Sequence, residues 1–149
     1  MVSADFIFGG NSSFQVVNPQ GETYMFSIRK DKKKDIFFAR VNTDVENEYD
    51  NSYAGFFKPQ NGSKLITGKN GIDQNKKVMK VFNWAVKQVI TEATLPEGYE
   101  IKHVGKCGCC GRKLTDELSK DLGIGPTCIK RVGADDRQKT ILALRALGL

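Results

Sequence analysis

One histidine, one tryptophan and four prolines are all that this chain of 149 residues carries of those types, and each scarcity excludes something. With a single imidazole, His103, there is no second histidine for an acid–base pair or a hydrolytic metal site. No Ser-His-Asp set closes either if that imidazole is spent on a metal. Gly9-Gly10 and Gly68-Lys69-Asn70-Gly71 are too short to cradle a phosphate and read as turns. No stretch approaches the roughly 18 apolar residues of a membrane span. The opening Met1-Val-Ser-Ala-Asp-Phe-Ile-Phe lacks both a basic head and an apolar h-region, so no signal peptide is expected. The expected setting is a reducing cytoplasm, where clustered cysteines read as metal ligands rather than disulfides. Neither a repeat nor a low-complexity tract interrupts the chain. These absences argue against an enzyme and against a membrane partner.

What is present is an ordinary globular composition with an uneven charge. Hydrophobic residues make up 40% of the chain and nine of them are Phe, enough for a core that folds without help. The formal net charge of +6 is concentrated: Arg29 to Arg40 holds six basic residues against Asp31 and Asp35, and Ile101 to the end holds ten against five acids. Asp44 to Asp50 holds four acids and no base. A basic balance suits an anionic partner such as nucleic acid.

The pattern of side chains predicts an α+β fold: an antiparallel β-sheet covered by one helix over residues 1–98, then a small metal-stapled module over 99–149. Phe14–Val17, the turn Asn18-Pro-Gln-Gly21 and Glu22–Arg29 form a hairpin, with Tyr24, Phe26 and Ile28 on one face of its second strand. Ile36–Val41 and Tyr53–Phe57 are further strands, Ser63–Thr67 is a candidate fifth, and the acidic stretch 42–51 is an exposed loop. A helix runs from about Gln74 to Glu92, capped by Asp73, with Val78, Val81, Phe82, Ala85 and Val89 as its buried stripe. Trp84, off the centre of that stripe, widens the core face. Tyr99–Lys102 is a short strand, Thr115–Leu122 a short helix with Thr115 as its cap, and Asp135–Leu147 a last helix ending before Gly148.

The chemistry lies in 26 residues that hold His103, Cys107, Cys110 and Cys128. A Cys-x-x-Cys pair, a later Cys and a nearby His supply the four soft or borderline donors that one structural Zn2+ takes in a tetrahedron. Gly108 and Gly111 ease the curl of the knuckle, and Cys128 sits where a helix begins after Pro126, a position whose dipole favours a thiolate. A set of four cysteines that uses Cys109 and releases His103 competes. Against it, neighbouring residues point apart, so Cys109 and Cys110 poorly share one small ion. Buried free thiols, a redox pair at Cys107/Cys110 and disulfides are the remaining alternatives. Four protein ligands would close the site and leave no position for a substrate.

Cys107-x-x-Cys110-Gly-Arg112-Lys-Leu114-Thr115-Asp116, then Ser119 and Gly123-Ile-Gly-Pro126-x-Cys128, resembles a small zinc-finger domain of unknown function common in bacteriophage and actinobacterial proteins. The resemblance spans residues 103–131, and the family's ligand positions match His103, Cys107, Cys110 and Cys128. Two departures stand out: Glu117-Leu118-Ser119 where the family often has Pro-Glu-Ser, and Cys109 itself. Tyr24–Arg29 is also similar to a strand that precedes this finger in some phage proteins. The resemblance implies a phage origin and a zinc-stapled module, and brings no activity with it.

Two functions follow. The first is nucleic-acid binding, DNA or RNA, with Lys106, Arg112, Lys113, Lys130 and Arg131 around the finger contacting phosphates and Lys32, Lys33 and Lys34 extending the path from the sheet. Phe37-Phe38 and Phe56-Phe57 must each send one ring off the core face, where it either stacks on an unpaired base or packs against another element. The second is a protein-interaction module docking on a host bacterial protein, an enzyme or defence factor, through the acidic 44–50 loop.

Overall fold

Alternation of apolar and polar residues produces the strands where it is regular, and a computed structural model shows how they assemble. It describes residues 1–34, 36–42, 51–58, 65–67 and 71–129. The acidic 44–50 stretch, Lys130, Arg131 and the expected helix over 135–147 lie outside the described residues. Strands β1 (Asn11–Val17), β2 (Thr23–Lys30), β3 (Phe37–Asn42), β4 (Asn51–Phe57) and β5 (Glu100–His103) form one antiparallel sheet in the order β4-β3-β2-β1-β5. Helices are α1 (Ala4–Ile7), α2 (Lys77–Ile90), α3 (Glu117–Leu122) and α4 (Pro126–Ile129). The fold is α+β, as the pattern predicts.

The β1–β2 hairpin turns because Asn18 Oδ1 accepts the amides of Gln20 (3.1 Å) and Glu22 (2.8 Å), an Asx turn that stands in for a strand bond. The candidate strand at 63–67 contributes, in its described part, a single bridge: Ile66 exchanges both backbone hydrogen bonds with Phe56. The fifth strand is instead β5, on the far edge beside β1, where Ile101 pairs with Val16 and His103 with Phe14.

Among the described residues, one face of the sheet is covered by helices and the other is not. Phe14, Val16, Phe26, Ile28, Phe37, Ala39, Val41 and Ile101 are buried toward α1 and α2. Their rings interlock in tilted and edge-to-face pairs, among them Phe8–Phe37 at 5.3 Å and Phe26–Phe82 at 5.3 Å. Such contacts add to the roughly 1.5–3 kcal/mol that each buried large apolar side chain contributes. Helix α2 lies rotated from the expected stripe: Met79, Phe82, Ala85, Val86, Val89 and Ile90 are buried, while Val78 and Val81 are only partly so. Trp84 packs at the edge of the core and pairs with Tyr99, ring centres 5.1 Å apart.

Both expected helix caps shift. Helix α2 begins at Lys77 behind an uncapped Lys76, and the Asp73 carboxylate instead accepts the Asn75 amide at 2.9 Å, closing a turn ahead of the helix. At α3 the cap is Asp116, whose carboxylate accepts the Ser119 amide at 3.0 Å, one residue beyond Thr115. Helix α1 has no counterpart in the sequence reading. Ser3 caps it by accepting the Phe6 amide (3.1 Å), and it buries Phe6 completely.

Candidate metal centre and its basic surround

Strand β5 hands the chain to a tight hairpin. The Leu114 amide donates to the Gly105 carbonyl (2.8 Å), Cys107 to Arg112 (2.8 Å) and Gly111 to Cys107 (2.9 Å). Lys106 and Lys113 face each other across a single bridge. Gly111 takes φ +76°, a left-handed turn that a side chain resists. Gly108 is needed for another reason than the curl: a Cβ there would stand 2.6 Å from the Phe6 ring, and one on Gly123 2.8 Å from it. Phe6 of α1 thus plugs into the back of the knuckle. The Asn11 amide on the Gly108 carbonyl (2.8 Å) and the Gly108 amide on the Gly123 carbonyl (2.9 Å) complete the attachment.

This hairpin and α4 bring Cys107, Cys110 and Cys128 together, with Sγ atoms all within 4.8 Å of one another. Sulfurs sharing one tetrahedral ion at ~2.3 Å would stand roughly 3.8 Å apart, so the trio fits one cation with a small contraction. Cys107 and Cys128 are buried with Leu114 and Ile124, Cys110 is exposed, and no disulfide joins any of the four cysteines. Cys107 Sγ accepts the amides of Gly125 (3.2 Å) and Cys109 (3.4 Å). Such donors hold a ligating thiolate in place from behind.

The electrostatics of the trio point the same way. Burial works against ionising Cys107, but the Gly125, Cys110 and Cys109 amides and the Cys110 side chain outweigh it and pull its pKa down to about 7. Cys128 goes the other way, pushed up to about 12 by burial, by hydrogen bonds with Cys110 and Cys107, and by the negative charge of Cys107 and Cys109. The start of the four-residue α4 therefore does not by itself make Cys128 a thiolate, contrary to the sequence expectation. Three sulfurs this close carry one negative charge comfortably; a cation among them lets the rest ionise.

His103 is not in that group. It ends β5 on the core face, its ring centre 5.9 Å from that of Phe6. Nδ1 accepts the Gly105 amide (2.9 Å), and Nε2 contacts the Lys120 carbonyl of α3. An accepting Nδ1 leaves the proton on Nε2, which then donates to that carbonyl. The ring ties β5 to α3, and both nitrogens are used by backbone. Nothing in residue spacing distinguishes such a tie from a ligand.

Five basic residues line two hollows that share Arg29, and others stand exposed nearby. Lys106, Arg112 and Lys113 are exposed around the knuckle, and Lys32, Lys33 and Lys34 are exposed on the β2–β3 connection. Arg29, Lys30 and Lys32 line one hollow together with Cys109 and Cys110. Arg29, Lys102 and Lys106 line a second, floored by Gln15, Met25 and Ser27. Arg29 borders both, which joins the sheet to the knuckle. Of the two Phe pairs, Phe37 and Phe57 are buried, while Phe38 and Phe56 lie partly exposed on the opposite face. Among the described residues no helix is long and apolar enough to cross a membrane.

No curated protein and no solved structure matches this chain. The stretch that carries β5, the knuckle, α3 and all four cysteines is similar to a family of unknown function (DUF6011), which matches residues 100–133.

Proposed function

We propose that this chain is a non-catalytic, zinc-stapled protein that binds nucleic acid. Cys107, Cys110 and Cys128 hold the ion, and zinc is the metal because thiolate-rich tetrahedral sets select it over harder cations. The ion's work is structural: it fixes the knuckle against Phe6 and so fixes Lys106, Arg112 and Lys113 beside the sheet. The observation that carries the binding function is the continuity of the two hollows through Arg29, with cations from the β2–β3 connection, β5 and the knuckle along one path. Three thiolates on Zn2+ add a net charge of only about −1, which the surrounding cations outweigh.

Metal analysis of reduced protein, followed by titration with labelled oligonucleotides over a salt series, tests both halves. We expect one zinc per chain and a log affinity that falls linearly with log salt, with slope about −0.7 per phosphate engaged on a single strand. Absence of zinc removes the first half of the reading. Absence of binding at about 50 mM salt removes the second. Metal content of a His103→Gln variant decides the imidazole's part: loss of zinc would add it to the ligand set. Retention is the outcome its two backbone contacts predict.

A further inference from the structure

Resting on the nucleic-acid reading, we infer that the ligand is single-stranded and lies across the open face of the sheet, its bases stacked on Phe38, Phe56 and Tyr53. Side chains alternate between faces along each strand, and the register sets those of the open face in rows. Phe56, Phe38 and Arg29 are successive cross-strand partners from β4 to β2, and Tyr53, Arg40 and Ser27 form the next row. No described element packs on this face. An exposed face of an antiparallel sheet is ordinarily polar, yet these three rings sit on it, partly exposed, with Phe38 6.3 Å from Tyr53 and 6.4 Å from Phe56 between centres.

Cations interleave with the rings. Arg40 lies over Tyr53 at 5.9 Å and Lys58 over Phe56 at 5.6 Å. Arg29 is pinned to the sheet by donating to the Ser12 carbonyl at 2.8 Å. Lys102 continues the face on β5, next to Gln15. The acid among these strand positions is Glu100, at the far edge and held by Lys102 at 3.5 Å. Rings with cations between them match a ligand that alternates flat bases with phosphates. They do not match an acidic peptide, which offers charge without planes to stack.

Width decides between single and double strands. Five strands spaced by ~4.8 Å span roughly 19 Å, whereas the major groove of duplex DNA is about 12 Å wide and admits a helix or a two-stranded ribbon. The sheet face cannot enter it, and paired bases cannot reach the rings.

The test compares labelled oligothymidine, oligouridine and a mixed-sequence duplex against wild type, Phe38→Ala/Phe56→Ala and Phe38→Trp/Phe56→Trp, with thermal melts as a folding control. Base stacking on an aromatic ring is worth enough that the alanine pair should lose roughly tenfold or more in single-strand affinity with an unchanged salt slope. The tryptophan pair, which keeps the stacking area, should bind as wild type does. Tight binding of either homopolymer with weak duplex binding supports the inference. Equal affinity for duplex and single strands, an alanine pair that binds like wild type, or a folded tryptophan pair that has lost binding overturns it while leaving the nucleic-acid reading standing. No binding to any of the three at low salt overturns that reading as well.

Discussion

The sheet with α2 and the cysteine knuckle reach order by different means. Seven buried Phe side chains fill the first, interlocked from Phe8 to Phe82. Among the described residues, the second has Leu114, Ile124 and the two buried cysteines as its apolar cluster, with Cys109 packed at its side. At about 25 cal/mol per Å² of buried apolar surface, four small or medium side chains do not offset the entropy of ordering a segment of this size. Hydrophobic burial fills one region; in the zinc-stapled reading proposed above, the other draws on a bound ion and on Phe6 from α1.

The sharpest way to break this contrast is to take the metal away. Chelation, or Cys107→Ser, should abolish metal binding and expose the amides of Cys107, Gly108 and Leu114 to hydrogen exchange, while those of Phe26 and Ile28 stay protected. Structural zinc sites carry apparent binding energies of about 10–16 kcal/mol, so this effect should exceed any single packing change. The converse experiment is Phe82→Ala. It should cost about 3–5 kcal/mol in a denaturant titration and leave metal stoichiometry unchanged.

A smaller effect sharpens the boundary between the regions. His103→Gln should lower stability by about 1–2 kcal/mol, the worth of two lost backbone contacts, with metal retained by elemental analysis. Least in size is the pH dependence of metal uptake. The thiolate is the ligand. Above about 7, Cys107 has already lost its proton, whereas Cys128, held near 12, must still release one to bind the ion. Below about 7, Cys107 must release one too, so affinity falls as pH falls and the slope of log affinity against pH steepens by one proton. Competition with a chromophoric chelator across pH 6 to about 8.5 reads this directly.

How much of this was legible in the residues depended on whether a rule is local. Strand alternation is local, so β1 to β4 and the Phe14/Phe26/Ile28 face follow from it. The knuckle follows from the Cys107–Cys110 spacing for the same reason. The caps differ because Thr115 and Asp116 stand side by side as possible acceptors, and because the Asp73 carboxylate takes the Asn75 amide in a turn ahead of α2; only the backbone path makes these choices. Helix α1 is four residues long, too short for any period to show, and its importance is tertiary: Phe6 is held by glycines a hundred residues away. The surroundings of His103 are tertiary for a similar reason. Its spacing suits a metal ligand, but the Lys120 carbonyl that engages it belongs to α3, and no pattern in the chain announces that approach. The stripe on α2 is displaced because Val78 and Val81 sit at its border, only partly buried, with Val81 lining a cleft beside Tyr24, Trp84 and Tyr99.

The pairing of Trp84 with Tyr99 gives the molecule an optical gauge of its own assembly. The indole sits in α2 and the phenol one residue ahead of β5, so the pair straddles the joint between the helix that covers the sheet and the strand that leads to the cysteines. With a single tryptophan in the chain, emission colour comes from that joint without labelling, and a stopped-flow fluorimeter can time the seating of β5.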